Sequence, residues 1–272
     1  MISRLVRVQG LTIHTQVSGQ GEPLLLHSGV FTGAQSWDPL LPQLAGYRVI
    51  AFDPPGIGRS SAPAYPLTMR ALASIGAGLL DELGIGSAHV LGLSFGGAVA
   101  QQMALSYPSR VRRLILTSTV FGTPGMPGDA QALWHFLQSG RYSQERLEQT
   151  AGIMFGGRLR AEPGLIRSLR IRRPSDTQAG LYRMTSLFGW SSLPWLWAIR
   201  QPALILCGDD DPITPLVNSQ LMAALMPRAR LEVVRGGGHL MLLDSPARVA
   251  PLVTGFLGRA SSADRARSVP HT

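Results

Sequence analysis

The sequence predicts an α/β domain: a mostly parallel central sheet flanked by helices, with a helical cap inserted late in the chain. Three observations predict it. Short β-branched or Leu-rich runs alternate with helical patterns at the spacing of βα units, and most of those runs end in Gly, Ser or Asp. For about 80 residues after position 119, Gly- and Pro-punctuated helical patterns continue without any strand pattern. Composition agrees, because 45% hydrophobic and only 15% charged residues in a 272-residue chain supply a core and exclude disorder as the main state.

Taken in chain order, strand patterns cover residues 11–17, 24–27, 49–52, 89–93, 114–117, 203–207 and 231–234. Helical patterns cover 67–83, 95–106, 216–226 and 245–257. The core is therefore expected to be 1–119 together with 202–258, the cap 120–201, and the polar, Arg-dotted residues 259–272 a frayed tail. The single Cys207 excludes a disulfide scaffold and a cysteine metal cluster. Residues 1–10 lack a signal-peptide core, and no run approaches the ~20 apolar residues of a membrane span, so the expected location is the cytoplasm.

Formal charge is +9, and every basic residue is Arg. No compact basic face or recognition element is legible, so nucleic acid is not an expected partner. Residues 141–183 hold nine Arg against four acids, which puts more than half of the net charge in the expected cap.

The chemistry centres on Gly92-Leu93-Ser94-Phe95-Gly96-Gly97, which follows a buried strand pattern and opens a helix. Small neighbours permit a sharp strand-to-helix turn with a serine at its apex, a nucleophile elbow. A phosphate loop is the rival reading, but no Lys follows and the Gly-x-Gly-x-x-Gly spacing is absent. An aliphatic hydroxyl needs a base, and that base needs an acid to hold its tautomer. Both come later in the chain. His239, in Gly236-Gly237-Gly238-His239-Leu240, is the expected base, and Asp211, before a Pro-Ile-Thr-Pro turn, the expected acid. Asp209 and Asp210 stay open as alternatives, although both suit turn capping better. The oxyanion is expected to meet the backbone N–H groups of Phe95 and of Val30 in the His27-Ser28-Gly29-Val30-Phe31 loop. His27 itself reads as a loop-packing residue, and Asp53-Pro54-Pro55-Gly56-Ile57-Gly58-Arg59-Ser60 as a structural turn near the site.

Together these segments resemble the α/β-hydrolase superfamily over nearly the whole chain. Within it, Ala51-Phe52-Asp53-Pro54-Pro55-Gly56, residues 94–102, Met154-Phe155-Gly156-Gly157, Gly189-Trp190-Ser191-Ser192-Leu193-Pro194-Trp195-Leu196, residues 208–216 and Gly238-His239-Leu240 are similar to intracellular medium-chain-length poly(3-hydroxyalkanoate) depolymerases. Phe95 stands where that family usually carries Trp, and His27-Ser28-Gly29 replaces its usual Asn-Gly pairing. The resemblance implies an α/β-hydrolase fold and a cofactor-free, metal-free serine hydrolase that cleaves esters between 3-hydroxyacyl units at a polymer granule. Four of the five Trp fall in the expected cap, and Trp190, Trp195, Trp197 and Phe155 are the expected walls of an acyl pocket. Small-ester or lactone hydrolysis, acyl transfer and carbon–carbon bond hydrolysis fit the same constellation, as does a catalytically idle ligand receptor of this fold.

Overall fold

The computed structural model describes residues 1–169 and 177–258. The expected tail lies outside the described residues, as do positions 170–176 of the expected cap. Eight strands form one sheet: β1 (Ile2–Val8), β2 (Leu11–Ser18), β3 (Glu22–His27), β4 (Tyr47–Phe52), β5 (Ala88–Leu93), β6 (Val111–Thr117), β7 (Ala203–Gly208) and β8 (Ala229–Val234). Their spatial order is β1-β2-β4-β3-β5-β6-β7-β8. From β4 to β8 every neighbour is parallel, while β1 and β2 add an antiparallel edge.

All seven expected strands are present, and β1 is additional. It escapes a sequence reading because only Val6 and Val8 of its seven residues are buried, which leaves little apolar alternation. The two-residue turn Gln9-Gly10, with φ of 51° and 81°, joins it to β2, the backbone that a two-residue hairpin requires.

The helices are α1 (Met69–Glu82), α2 (Phe95–Ser106), α3 (Ala130–Gln138), α4 (Gln144–Phe155), α5 (Arg158–Ala161), α6 (Thr177–Thr185), α7 (Leu216–Leu225), α8 (Met241–Asp244) and α9 (Pro246–Leu257). Alternation along the strands separates two cores. Leu25, Ile50, Val90, Leu114 and Ile205 pack with α1, α2 and α7, while Leu24, Leu26, Leu91, Ile115 and Leu204 pack with α8, α9 and Trp37. Strands buried on both faces explain why β5 and β7 read as continuous apolar runs. Helix α1 starts at Met69 because Thr68 caps it, its side chain accepting from the Ala71 N–H at 3.2 Å.

Between β6 and β7 the described residues form helices α3 to α6 and no strand. The two ends of this segment meet through a bridge between Gly122 and Ser191, with the Ser192 N–H donating to Phe121 O at 2.8 Å. A Cβ at Gly122, whose φ is +84°, would lie 2.3 Å from Trp190 O, so the closure needs glycine. No helix among the described residues is long and apolar enough to cross a membrane.

Candidate active site

Ser94 occupies the one-residue corner between β5 and α2 with φ +54° and ψ −121°, a strained backbone for a side chain other than glycine. Close packing imposes it. A Cβ at Gly92 would lie 2.4 Å from Gly96 O, and one at Gly96 would lie 2.0 Å from His27 O. The corner is further held by the Ser94 N–H donating to Thr117 O at 2.9 Å and by the Thr119 hydroxyl donating to Ser94 O at 2.6 Å. The strand-to-helix turn therefore presents Oγ above the carboxyl end of the sheet, where ligands of open α/β sheets bind.

His239 arrives from the loop after β8. Its N–H donates to Phe155 O at 2.7 Å, and its ring stacks on the Phe155 ring with centroids 6.3 Å apart. Its Nδ1 lies 2.9 Å from Asp211 Oδ2, and its Nε2 lies 3.0 Å from Ser94 Oγ. With Nδ1–H donating to the carboxylate, Nε2 is left as the acceptor for the serine hydroxyl.

The three consecutive aspartates after β7 go to three places. Asp209 accepts from the Gly236 N–H and so braces the turn before the histidine. Asp210 accepts from the Gly157 N–H at 2.7 Å and from Arg160 at 2.8 and 2.9 Å, which fastens the start of α5 to the sheet. Asp211 turns inward and accepts from the Ile213 and Thr214 N–H groups at 2.9 and 3.0 Å, from the Thr214 hydroxyl, and from His239. Burial alone would raise its carboxyl; the charge and hydrogen bond of His239 and the two Thr214 hydrogen bonds outweigh that and hold it below the usual carboxylate range.

Ser94 and His239 line a cavity of about 300 Å³. Its apolar walls include Phe136, Leu147, Phe155, Ile166, Met184 and Leu240, with Gly29 and Val30 beside the serine. Of the four residues expected to wall an acyl pocket, Phe155 lines this cavity. The three tryptophans Trp190, Trp195 and Trp197 do not line this cavity. Trp190 Nε1 donates to Gln102 Oε1 on α2 at 2.9 Å, and Trp195 packs edge-on against Trp190. Trp197 is 59% exposed and donates to Pro194 O. An indole N–H that is removed from water needs an acceptor, and for Trp190 that acceptor is Gln102 on α2.

Val30 and Phe95 both border Ser94. A Cβ on Gly29 would stand 3.9 Å from Ser94 Cβ, and the Phe95 N–H, in the first turn of α2, has no intrahelical acceptor. Below this loop, His27 is buried edge-on to Phe52, and burial, aided by the charge of Arg183, lowers it to about 3, so it is a neutral imidazole. The turn after β4 is held by the buried Asp53, which accepts from the Ala34 and Arg59 N–H groups and pairs with His14 at 2.7 Å. Arg183, on α6, is the residue that sequence reasoning passed over. It is buried against Phe95, and nothing in its sequence context separates it from the other arginines of its segment.

The model of a family described as the alpha/beta hydrolase family matches residues 24–252. A poly(3-hydroxyalkanoate) depolymerase of Ectopseudomonas oleovorans is 37% identical, the match covering 99% of this chain and 96% of that protein. A 2-hydroxymuconate semialdehyde hydrolase of a Pseudomonas species is 29% identical over 96% of each. Among solved structures, a hydrolase from Pseudomonas aeruginosa superposes with a TM-score of 0.79 at 27% identity, covering 94% of this chain and 98% of that one.

Proposed function

Because the chain belongs to the alpha/beta hydrolase family, we propose that it is a cofactor-free serine hydrolase of carboxylic esters with apolar acyl groups, and that its substrates are medium-chain 3-hydroxyalkanoate polyesters. The observation that carries this reading is the unbroken chain Ser94 Oγ, His239 Nε2, His239 Nδ1, Asp211 Oδ2, whose serine and histidine line an apolar cavity. Residues 1–119 and 202–258 form the core in this reading, and 120–201 the cap.

Ser94 attacks the ester carbonyl as His239 takes its proton, and the oxyanion forms between the Val30 and Phe95 N–H groups. His239 then protonates the departing 3-hydroxyacyl alcohol, leaving an acyl-enzyme on Ser94. Water, deprotonated by the same imidazole, releases the acid and restores the serine. Asp211 keeps Nδ1 protonated and stabilises the imidazolium in both halves.

The polyester class is supported by the depolymerase relative and by the cavity mouth, where Leu137 and Leu181 are 53% and 59% exposed. On the same helical segment Trp134 and Phe188 are also open to solvent, a surface suited to a water-insoluble chain. A granule surface in the cytoplasm is the setting in which such a substrate occurs. The 2-hydroxymuconate semialdehyde hydrolase relative favours a second reading, carbon–carbon bond hydrolysis by the same residues. Emulsified medium-chain polyester tests the choice. The expected result is Ser94-dependent release of 3-hydroxyacids; cleavage of a vinylogous 1,5-diketone with no release from polyester favours the second reading.

A further inference from the structure

We infer that Arg183 is a positioning residue for oxyanion binding, clamping the 28–32 loop and the Phe95 end of α2 from the helical segment above them. The inference rests on the serine hydrolase reading. The expected donor of the loop is the N–H of the Gly29–Val30 peptide, and the guanidinium bears on the peptides to either side of it. Arg183 Nη1 donates to Val30 O at 2.6 Å, and Nη2 reaches Ser28 O at 3.4 Å. The carbonyl of the Gly29–Val30 peptide is itself taken by Thr32, whose N–H and hydroxyl lie at 3.2 and 3.3 Å. In a trans peptide the N–H points opposite to the carbonyl, so fixing Gly29 O on one side aims the Val30 N–H to the other. The same guanidinium lies 4.7 Å over the ring of Phe95, the residue expected to supply the second donor. One side chain therefore touches both donor residues, although Arg183 is not among the residues that line the cavity.

A role confined to stability explains this arrangement poorly. Arg183 is 5% exposed, its Nε has no hydrogen-bond partner, and among the described residues no carboxylate pairs with it. A buried cation that no described carboxylate neutralises costs stability that an apolar side chain of similar length would not. Burial lowers it to about 9, so it still carries its charge at neutral pH. A cation retained under those conditions beside the site of a developing negative charge has an electrostatic use.

The test compares wild type, Arg183→Met and Arg183→Lys on p-nitrophenyl butyrate, with competent sites counted by fluorophosphonate titration carried to completion. Each protein is also assayed for inhibition by a trifluoromethyl ketone, which forms a tetrahedral oxyanion adduct, and by the matching methyl carbinol, which does not. For Arg183→Met the expected result is a kcat per site lower by about 10- to 100-fold with KM within about twofold, and an equal loss of affinity for the fluoroketone alone. Arg183→Lys, which keeps the charge but not the fork, recovers part of both. If Arg183→Met does not fold, the same two ratios are read from Arg183→Lys. A lower melting temperature with unchanged kcat per site and unchanged fluoroketone affinity overturns the inference. Wild-type protein without Ser94-dependent hydrolysis removes the hydrolase reading, and the inference with it.

Discussion

On the proposed function, lengthening the acyl group of a p-nitrophenyl ester from butanoate to octanoate adds four methylenes to the part of the substrate expected in the cavity lined by Phe136, Leu147, Phe155 and Ile166. Each methylene taken fully out of water is worth about 0.8 kcal/mol, so the series gains up to about 3 kcal/mol, more than a hundredfold in kcat/KM. At about 300 Å³ the cavity is small for a ligand site, so the gain should level off as the chain outgrows it. The cavity lining predicts which substitutions should change the slope. Leu147 lines the cavity and is only partly buried, so Leu147→Trp should fill the space, depress octanoate turnover at least tenfold and leave acetate turnover within a few-fold. Trp195 packs on Trp190 away from the cavity, so Trp195→Ala should leave the slope intact. Initial rates across acetate, butanoate, hexanoate and octanoate esters measure all three. A flat wild-type series, or a Trp195→Ala enzyme whose slope collapses as far as that of Leu147→Trp, would refute the assignment of this cavity as the acyl site.

Asp211→Asn should lower kcat by something like ~10⁴-fold through the wrong imidazole tautomer, whereas Asp209→Asn and Asp210→Asn should each cost less than about tenfold; steady-state kinetics on one soluble ester ranks them. Acid should destabilise the protein through His27. The unfolded residue takes a proton near pH 6.5 and the folded one only near 3, so the contribution is complete above 6.5 and is lost as pH falls toward 3. By pH 5 this amounts to about 2 kcal/mol, and urea unfolding at pH 7 and pH 5 should show that increment in wild type and not in His27→Gln. Gly96→Ala puts a methyl 2.0 Å from His27 O, against backbone that cannot yield, and should lower stability by about 3 kcal/mol or prevent folding, as read by thermal melting.

Most of the sheet was legible because β3 to β7 are central strands, and strands covered on both faces read as apolar runs in a single sequence. The edge strand β1, with two buried residues, carries almost no such signal. The serine corner was legible for a related reason: glycines at fixed offsets are what close approach demands, Gly92 and Gly96 where β5, α2 and the 27–28 backbone meet and Gly97 against the Thr119 side chain. Placing Asp211 rather than its two neighbours depended on the following Pro-Ile-Thr-Pro turn, whose N–H groups do hold that carboxylate and no other. Residue type points to tryptophan for an apolar wall, whereas the cavity beside Ser94 is lined from α3, α4 and α6 by ordinary Phe, Leu and Met whose facing depends on how those helices pack. Arg183 was invisible for the opposite reason: an arginine is an ordinary surface residue until tertiary structure buries it.

The central claim is that Ser94 carries the acyl group, and rapid acid quench followed by peptide mass spectrometry tests it most directly. Incubated with an oligomer of 3-hydroxyoctanoate, the wild-type protein should yield a 3-hydroxyacyl adduct on the peptide containing Ser94. Ser94→Ala should give no adduct and less than about a thousandth of the wild-type turnover. An adduct on another residue, or Ser94→Ala turnover above that level in folded protein, would contradict the account.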